Sequence, residues 1–376
     1  MKARSLFLGL CACGLFCSTP SQAASYSSLY IFGDSLADTG NNAWVFDNAL
    51  PALDPTNSTG YAFQRTEAPI SPGVDEVDTS LVPTFPYTSN RYSNGGVWPD
   101  YVSAITGLPT QNALNGVSFP DLYNFMMGGP APTVTGTNFA FGGARVGTTP
   151  PLGFPFSLVD QVSAFVLLLN GNPAPADALF IVEGGGNDAR DVLAATLDGD
   201  DSTDPATFIQ AYIDGMNTIF QTLADIGAKH VAVWNVPDIS LTPAVNSLLS
   251  IDPMAKLIAG GAVGTMNYEL ENLLGGYTSL FDDLILFDLH DVMANIVTNY
   301  SDYSLTNVSS ACAVDPACVA DPTGYLFWDG IHPTTYGHQL VATAFVNTMR
   351  MPEPATLWLM LIVLLPAALG RRLARS

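Results

Sequence analysis

Leu29-Tyr30-Ile31-Phe32-Gly33-Asp34-Ser35-Leu36 passes from an apolar run into a tight polar turn within one residue. The run Leu29–Phe32 is aliphatic and aromatic throughout, the pattern of a strand buried on both faces of a parallel sheet. Gly33 and Asp34 end it. A serine just past the C-terminal end of such a strand stands where open α/β sheets place ligands. Serine is a weak nucleophile until a neighbouring base takes its proton, so Ser35 matters only if the fold supplies that base. By itself the turn reads equally well as a helix cap. It is not a G-x-S-x-G elbow, because Ala37 stands where the last glycine would be.

Four further runs of the same character follow at Asn138–Phe141, Ala178–Val182, His230–Trp234 and Leu284–Leu289. Between several of them lie helical patterns. Leu158–Leu169 is apolar at helical spacing. Asp204-Pro205 is an N-cap followed by proline at the first helical position, opening a helix to about Ile226 that Gly227 stops. Ala255–Leu274 ends at Gly275-Gly276, and Gly337–Met349 is the last helix. Strands alternating with helices predict an α/β fold with a five-stranded parallel sheet.

The two ends are set apart from this body. Residues 1–24 carry a basic start, a short apolar run from Leu6 to Phe16 and small residues at the exit, which reads as a secretory signal peptide. Residues 351–376 place Met351-Pro352-Glu353-Pro354 before an apolar run and a cluster of arginines. They resemble the PEP-type sorting signal of Gram-negative bacteria, processed by an exosortase-like enzyme, and the run is short for a stable membrane span. The resemblance implies export to the periplasm, cell surface or extracellular matrix, with transient tethering to the inner membrane by the tail. The body, residues 25–350, is expected to be one domain. It holds a polar, Pro- and Gly-rich loop insertion at about 44–98, a length typical of functional or poorly ordered loops.

Charge excludes one class of function. The chain has 34 acids and 12 bases; five of the bases and one acid lie in the end segments, leaving 33 against 7 in the body. Such a body repels phosphate backbones and anionic lipid surfaces, so nucleic acid is not expected as a partner, and a neutral ester substrate or a salty environment fits better. Three of the five cysteines fall in the signal segment. The other two, Cys312 and Cys318, enclose a five-residue loop and in an exported protein read as a disulfide. They cannot complete a zinc shell, and no metal or other cofactor is expected. The acidic stretch Asp198-Gly199-Asp200-Asp201 lacks, in register, the glycine and distal glutamate of a calcium loop and reads as a solvated loop before a helix.

The base must be one of four histidines. His230 begins a buried strand, His290 has no supporting context, and His338 lies inside the last helix. His332 sits in Trp328-Asp329-Gly330-Ile331-His332-Pro333-Thr334, on a loop entering a helix, with Asp329 three residues before it. On a single turn that spacing lets a carboxylate orient one ring nitrogen while the other faces a serine. In isolation D-x-x-H is also a capping turn. Acyl transfer further needs donors aimed at a developing oxyanion. The candidates are the backbone N–H of Gly143 in Asn138-Phe139-Ala140-Phe141-Gly142-Gly143, the side-chain amide of Asn187 in Gly184-Gly185-Gly186-Asn187-Asp188, and the N–H of Ser35.

Taken together, F-G-D-S-L-A-D-T-G-N-N, N-F-A-F-G-G-A, G-G-N-D and D-G-I-H-P-T resemble, in order, four blocks of the GDSL/SGNH serine esterase and lipase family. They cover nearly the whole body. The resemblance implies a three-layer α/β/α sandwich with a flavodoxin-like sheet and carboxylic ester hydrolysis. Ser35, Asp329 and His332 would form the catalytic triad, and Ser35, Gly143 and Asn187 the oxyanion hole, with Gly142 an alternative to Gly143. A neutral ester substrate follows, either a lipid or an acetylated glycan. The segment Arg91-Tyr92-Ser93-Asn94-Gly95-Gly96-Val97-Trp98 is similar to a stretch in the lecithinase/hemolysin-like branch and carries no assigned role. The alternative function is a catalytically silent surface-matrix protein on a hydrolase fold.

Overall fold

The computed structural model describes residues 26–49, 90–149, 155–198, 204–250 and 252–350. The signal segment, most of the loop insertion, the acidic turn after Asp198 and the C-terminal tail lie outside the described residues. Among the described residues no helix is long and apolar enough to cross a membrane.

Four strands, β1 (Ser28–Phe32), β2 (Ala178–Val182), β3 (His230–Trp234) and β4 (Asp283–Phe287), pair in that spatial order, all parallel. Side chains alternate between the two faces of each strand. Phe180, Val182, Val231 and Val233 point to one core. There they meet α4 (Leu158–Leu168), α6 (Pro205–Asp225) and α8 (Ala255–Leu274). Leu179, Ile181, Ala232 and Trp234 point to the other core. That face is covered by α2 (Trp98–Thr106), α9 (Leu289–Thr298) and α11 (Thr335–Arg350). Each fully buried large apolar side chain contributes roughly 1.5–3 kcal/mol. Helices on both faces of a parallel sheet give an α/β fold, as expected.

The sheet has four strands rather than five. Asn138–Phe141 runs beside the outer edge of β1 but makes only isolated bridges, Asn138 with Ile31 on one side and with Asn112 on the other. Phe139 N donates to Ile31 O and Phe141 N to Gly33 O. The ladder goes no further because the Gly33 N–H turns instead to Gln161 Oε1, at 2.8 Å. The run Leu284–Leu289 is also shorter as a strand. Asp288 accepts the Asp291 N–H at 3.0 Å and caps α9, so Leu289 opens a helix. The last helix begins at Thr335, two residues before the expected start.

A second, two-stranded sheet pairs β5 (Asn307–Ala311) with β6 (Tyr325–Phe327). Between them runs α10 (Pro316–Ala320), and a disulfide ties its Cys318 to Cys312, just after β5. The remaining short helices are α1 (Asn41–Trp44), which continues as a π turn over Val45–Ala49, α3 (Phe119–Met126), α5 (Gly186–Asp198) and α7 (Pro243–Leu248).

Candidate active site

Ser35 sits in the turn directly after β1. Ala37 N and Asp38 N both donate to Asp34 O, and Asp34 Oδ1 accepts the Leu36 N–H at 2.9 Å. Gly33 is required at the turn. A Cβ there would lie 2.8 Å from Glu183 Oε2 and 2.9 Å from Ala37 Cβ. Asp329 and His332 sit in the turn after β6. Asp329 Oδ1 accepts the N–H groups of Ile331 and His332 at 2.8 and 2.7 Å, which folds the four residues into a loop.

The two turns meet. His332 Nδ1 is 2.7 Å from Asp329 Oδ2, and His332 Nε2 is 2.8 Å from Ser35 Oγ. All three side chains are buried, Asp329 completely. Burial by itself would raise the Asp329 carboxyl. The charge and ring N–H of His332, with the two backbone donors, outweigh it and hold the group below its ordinary value. An ionised carboxylate only accepts, so Nδ1–H donates to Asp329, and Nε2 is the ring nitrogen that faces the Ser35 hydroxyl.

The other histidines lie elsewhere or serve otherwise. His230 Nδ1 is 2.6 Å from Asp283 Oδ2, at the N-terminal end of β3. His290 Nδ1 is 3.1 Å from Asp291. His338 is buried in α11 and lines the same cavity as Ser35. Burial, helped by the charge of His332, pushes it down to about 3, so it is a neutral ring.

The glycine-rich turns behave differently from each other. Asp38 accepts the N–H groups of Gly40, Asn41, Asn42 and Gly142. Gly142 N–H is therefore already engaged. The Gly143 N–H makes no hydrogen bond among the described residues, and Gly143 has φ of 82°, a conformation suited to glycine. Asn187, in the first turn of α5, donates one Nδ2 hydrogen to Ala144 O at 3.0 Å and retains a second. Ser35, Asn187 and His332 line one cavity, whereas Gly143 is not in its wall.

Several buried groups around this centre carry no signal in the sequence. Arg145 makes a two-pronged ion pair with Asp191, both bonds 2.9 Å, and donates to Gly143 O at 2.9 Å. This fixes the Gly143 turn to α5. Burial pushes Asp34 up to about 6, and burial plus the neighbouring Asp34 charge holds Glu183 well above the carboxylate range. The segment Arg91–Trp98 packs on the His332 loop. Its N-G-G turn signal was visible in the sequence, but its target was not.

The cavity holds about 720 Å³. Its lining includes the polar residues Asp34, Ser35, Asn187, Arg190 and His332 and apolar side chains such as Leu193, Leu197, Ile239, Val245, Leu248 and Met293. The arrangement brings a serine hydroxyl, an imidazole and a carboxylate held below its ordinary value against one largely apolar cavity.

The chain is similar to known proteins over most of its length. It is 23% identical to GDSL esterase/lipase 6 of Arabidopsis thaliana, covering 90% of this chain and 92% of that one. It is 27% identical to GDSL esterase/lipase At5g55050 of the same plant, over 90% of each. It is also 26% identical to an uncharacterized protein in the trpE-trpG intergenic region of Pseudomonas putida, covering 95% of this chain and 54% of that one. The model of one family, described as GDSL-like Lipase/Acylhydrolase, matches residues 29–345, from the first residues of β1 into the last helix. The chain belongs to the GDSL-like lipase/acylhydrolase family.

Proposed function

We propose that this protein is a serine ester hydrolase working by two-step acyl transfer. Ser35 Oγ attacks the carbonyl carbon of an ester while His332 Nε2 takes its proton. Asp329 holds the imidazole in the required tautomer and stabilises the imidazolium. The oxyanion accepts from the N–H groups of Ser35 and Gly143 and the unengaged Nδ2 hydrogen of Asn187. The intermediate collapses, Nε2 protonates the leaving alcohol, and an acyl-serine remains. A water deprotonated by Nε2 then releases the acid and restores Ser35. No step draws on a metal or organic cofactor.

The observation that carries this reading is the pair of contacts through one imidazole, 2.7 Å to Asp329 and 2.8 Å to Ser35. Of the two glycines, Gly143 is the better donor because Asp38 occupies the Gly142 N–H. The apolar wall of the cavity favours an acyl group longer than acetyl, and the body's excess of acids disfavours an anionic partner surface. A lipid-type ester is thus the preferred substrate over an acetylated glycan. We further propose export, with residues 1–24 as the signal segment and residues 351–376 as an exosortase-processed tail. The support is the order of charge, apolar run and P-E-P in those segments. The testing experiment is Ser35→Ala assayed on nitrophenyl esters of increasing acyl length. The variant loses turnover by several orders of magnitude. The parent prefers medium chains over acetate. An unchanged rate in the variant overturns the reading.

A further inference from the structure

Segment Arg91–Trp98 reaches the centre from a distant part of the chain. The Tyr92 ring is buried, and its centroid lies 5.4 Å from that of His332, with 32° between the planes. The hydroxyl end of the same ring lies against the glycine turn. A Cβ on Gly142 would fall 2.2 Å from Tyr92 Cε2. Asn42 Nδ2 donates both to the Tyr92 hydroxyl and to Gly142 O. The next two residues hold the backbone that follows the histidine. Ser93 Oγ donates to Pro333 O at 2.9 Å, and Asn94 Oδ1 accepts the Thr335 N–H at 2.8 Å. Thr335 Oγ1 in turn donates to Gly96 O at 2.9 Å.

We propose that Tyr92, Ser93 and Asn94 form a positioning brace in which the Tyr92 ring sets the plane of the His332 imidazole and ties it to the Gly142–Gly143 turn. The proposal rests on the reading of Ser35 and His332 as nucleophile and base. The Asp329 turn holds Nδ1 by one hydrogen bond, and the ring can still swing about Cβ–Cγ, which moves Nδ1 and Nε2 together; a side chain packed beside the ring limits that swing. Tyr92 is that side chain and links the ring to the loop carrying the proposed oxyanion donor, so base and donor keep one register. A misplacement near 1 Å at such a site can cost about a hundredfold in rate.

The full chain, as Tyr92→Leu, Tyr92→Phe, Asn94→Ala and Asn94→Asp variants, is compared with the parent and with Ser35→Ala on one nitrophenyl ester. Rates are normalised to sites titrated by a fluorophosphonate, and the His332 Nδ1 proton is followed by NMR. Tyr92→Leu is expected to lower kcat by about 10- to 100-fold with KM within about twofold, and to broaden the Nδ1 proton signal. Tyr92→Phe keeps the ring and loses the hydroxyl with its Asn42 link, so its loss is several-fold smaller. Asn94→Ala lowers kcat, and Asn94→Asp, which keeps the acceptor for Thr335, recovers it. If Tyr92→Leu does not fold, the Phe variant and the Asn94 pair decide. A kcat and proton signal that match the parent in these variants overturn the brace while leaving Ser35 standing. Turnover in Ser35→Ala overturns the underlying reading and the brace with it.

Discussion

His332 Nε2 and Ser35 Oγ are 2.8 Å apart although 297 residues separate them in the chain. The contact is made by two local turns, one after β1 and one after β6, each closed by a single aspartate. Asp34 closes the serine turn through Leu36 N–H, and Asp329 closes the histidine turn through Ile331 and His332 N–H. The larger fold has only to bring two preformed turns to the same rim.

Asp329 holds the tautomer, so an isosteric amide should be nearly as damaging as loss of the base. In Asp329→Asn the amide can donate to Nδ1, which moves the ring proton to Nε2 and points it at Ser35. We expect kcat lower by about 10⁴ with the fold intact. Stopped-flow turnover together with a far-UV spectrum measures this. A loss under about tenfold in a folded variant contradicts the assigned tautomer.

Stability should depend on pH through the buried Asp188. Burial, with Asp191 adding, pushes its carboxyl up to about 7 against the pull of Arg145 and the Val146 N–H. A carboxyl raised on folding stabilises the folded state below its unfolded value of 3.8, and that contribution is lost as pH climbs through about 7. Asp329 runs the other way. Its folded value is lowered, so its contribution is present above 3.8 and fades on acidification. Asp188→Asn cannot ionise and still offers an acceptor to Val146. Its Tm relative to the parent should rise between about pH 5 and about pH 8. A difference that stays flat with pH would count against the raised carboxyl.

The Cys312–Cys318 bond lies next to the histidine turn. Cys312 N donates to Phe327 O and Ala313 N to Trp328 O, just before Asp329. Closing so short a loop is worth about 2 kcal/mol in the chain-entropy picture. A Cys312→Ser, Cys318→Ser double variant should lose about that much in urea denaturation and shed activity at lower temperature than the parent. Coincident denaturation curves would mean the bond supports nothing.

How much of this is legible in the sequence depends on how local the causes are. β1, β2 and β3 are legible because each is a five-residue run largely buried on both faces, β2 throughout; β4 is half-buried along four of its five residues and is marked instead by its apolar Leu-Ile-Leu-Phe run. Asn138–Phe141 has the same composition and fails as a strand for a reason outside itself, the capture of Gly33 N–H by Gln161, 128 residues away. β5, Asn-Val-Ser-Ser-Ala, is half exposed and polar, so no periodicity marks it. The turns that carry Ser35, Asp329 and His332 are legible because D-x-x-H is a self-contained turn and G-D-S follows a strand. The brace is not. Ser93 and Pro333 stand 240 positions apart, and neither residue type announces a partner. Arg145 and Asp191 are equally silent until α5 is in place.

Reaction with a fluorophosphonate, followed by peptide mapping of the labelled site, tests the central claim most directly. The account predicts one covalent adduct, on Ser35, formed rapidly by the parent, slowly by His332→Ala and not at all by Ser35→Ala. A folded parent chain that resists labelling, as a silent matrix protein would, or an adduct on a different serine, contradicts it.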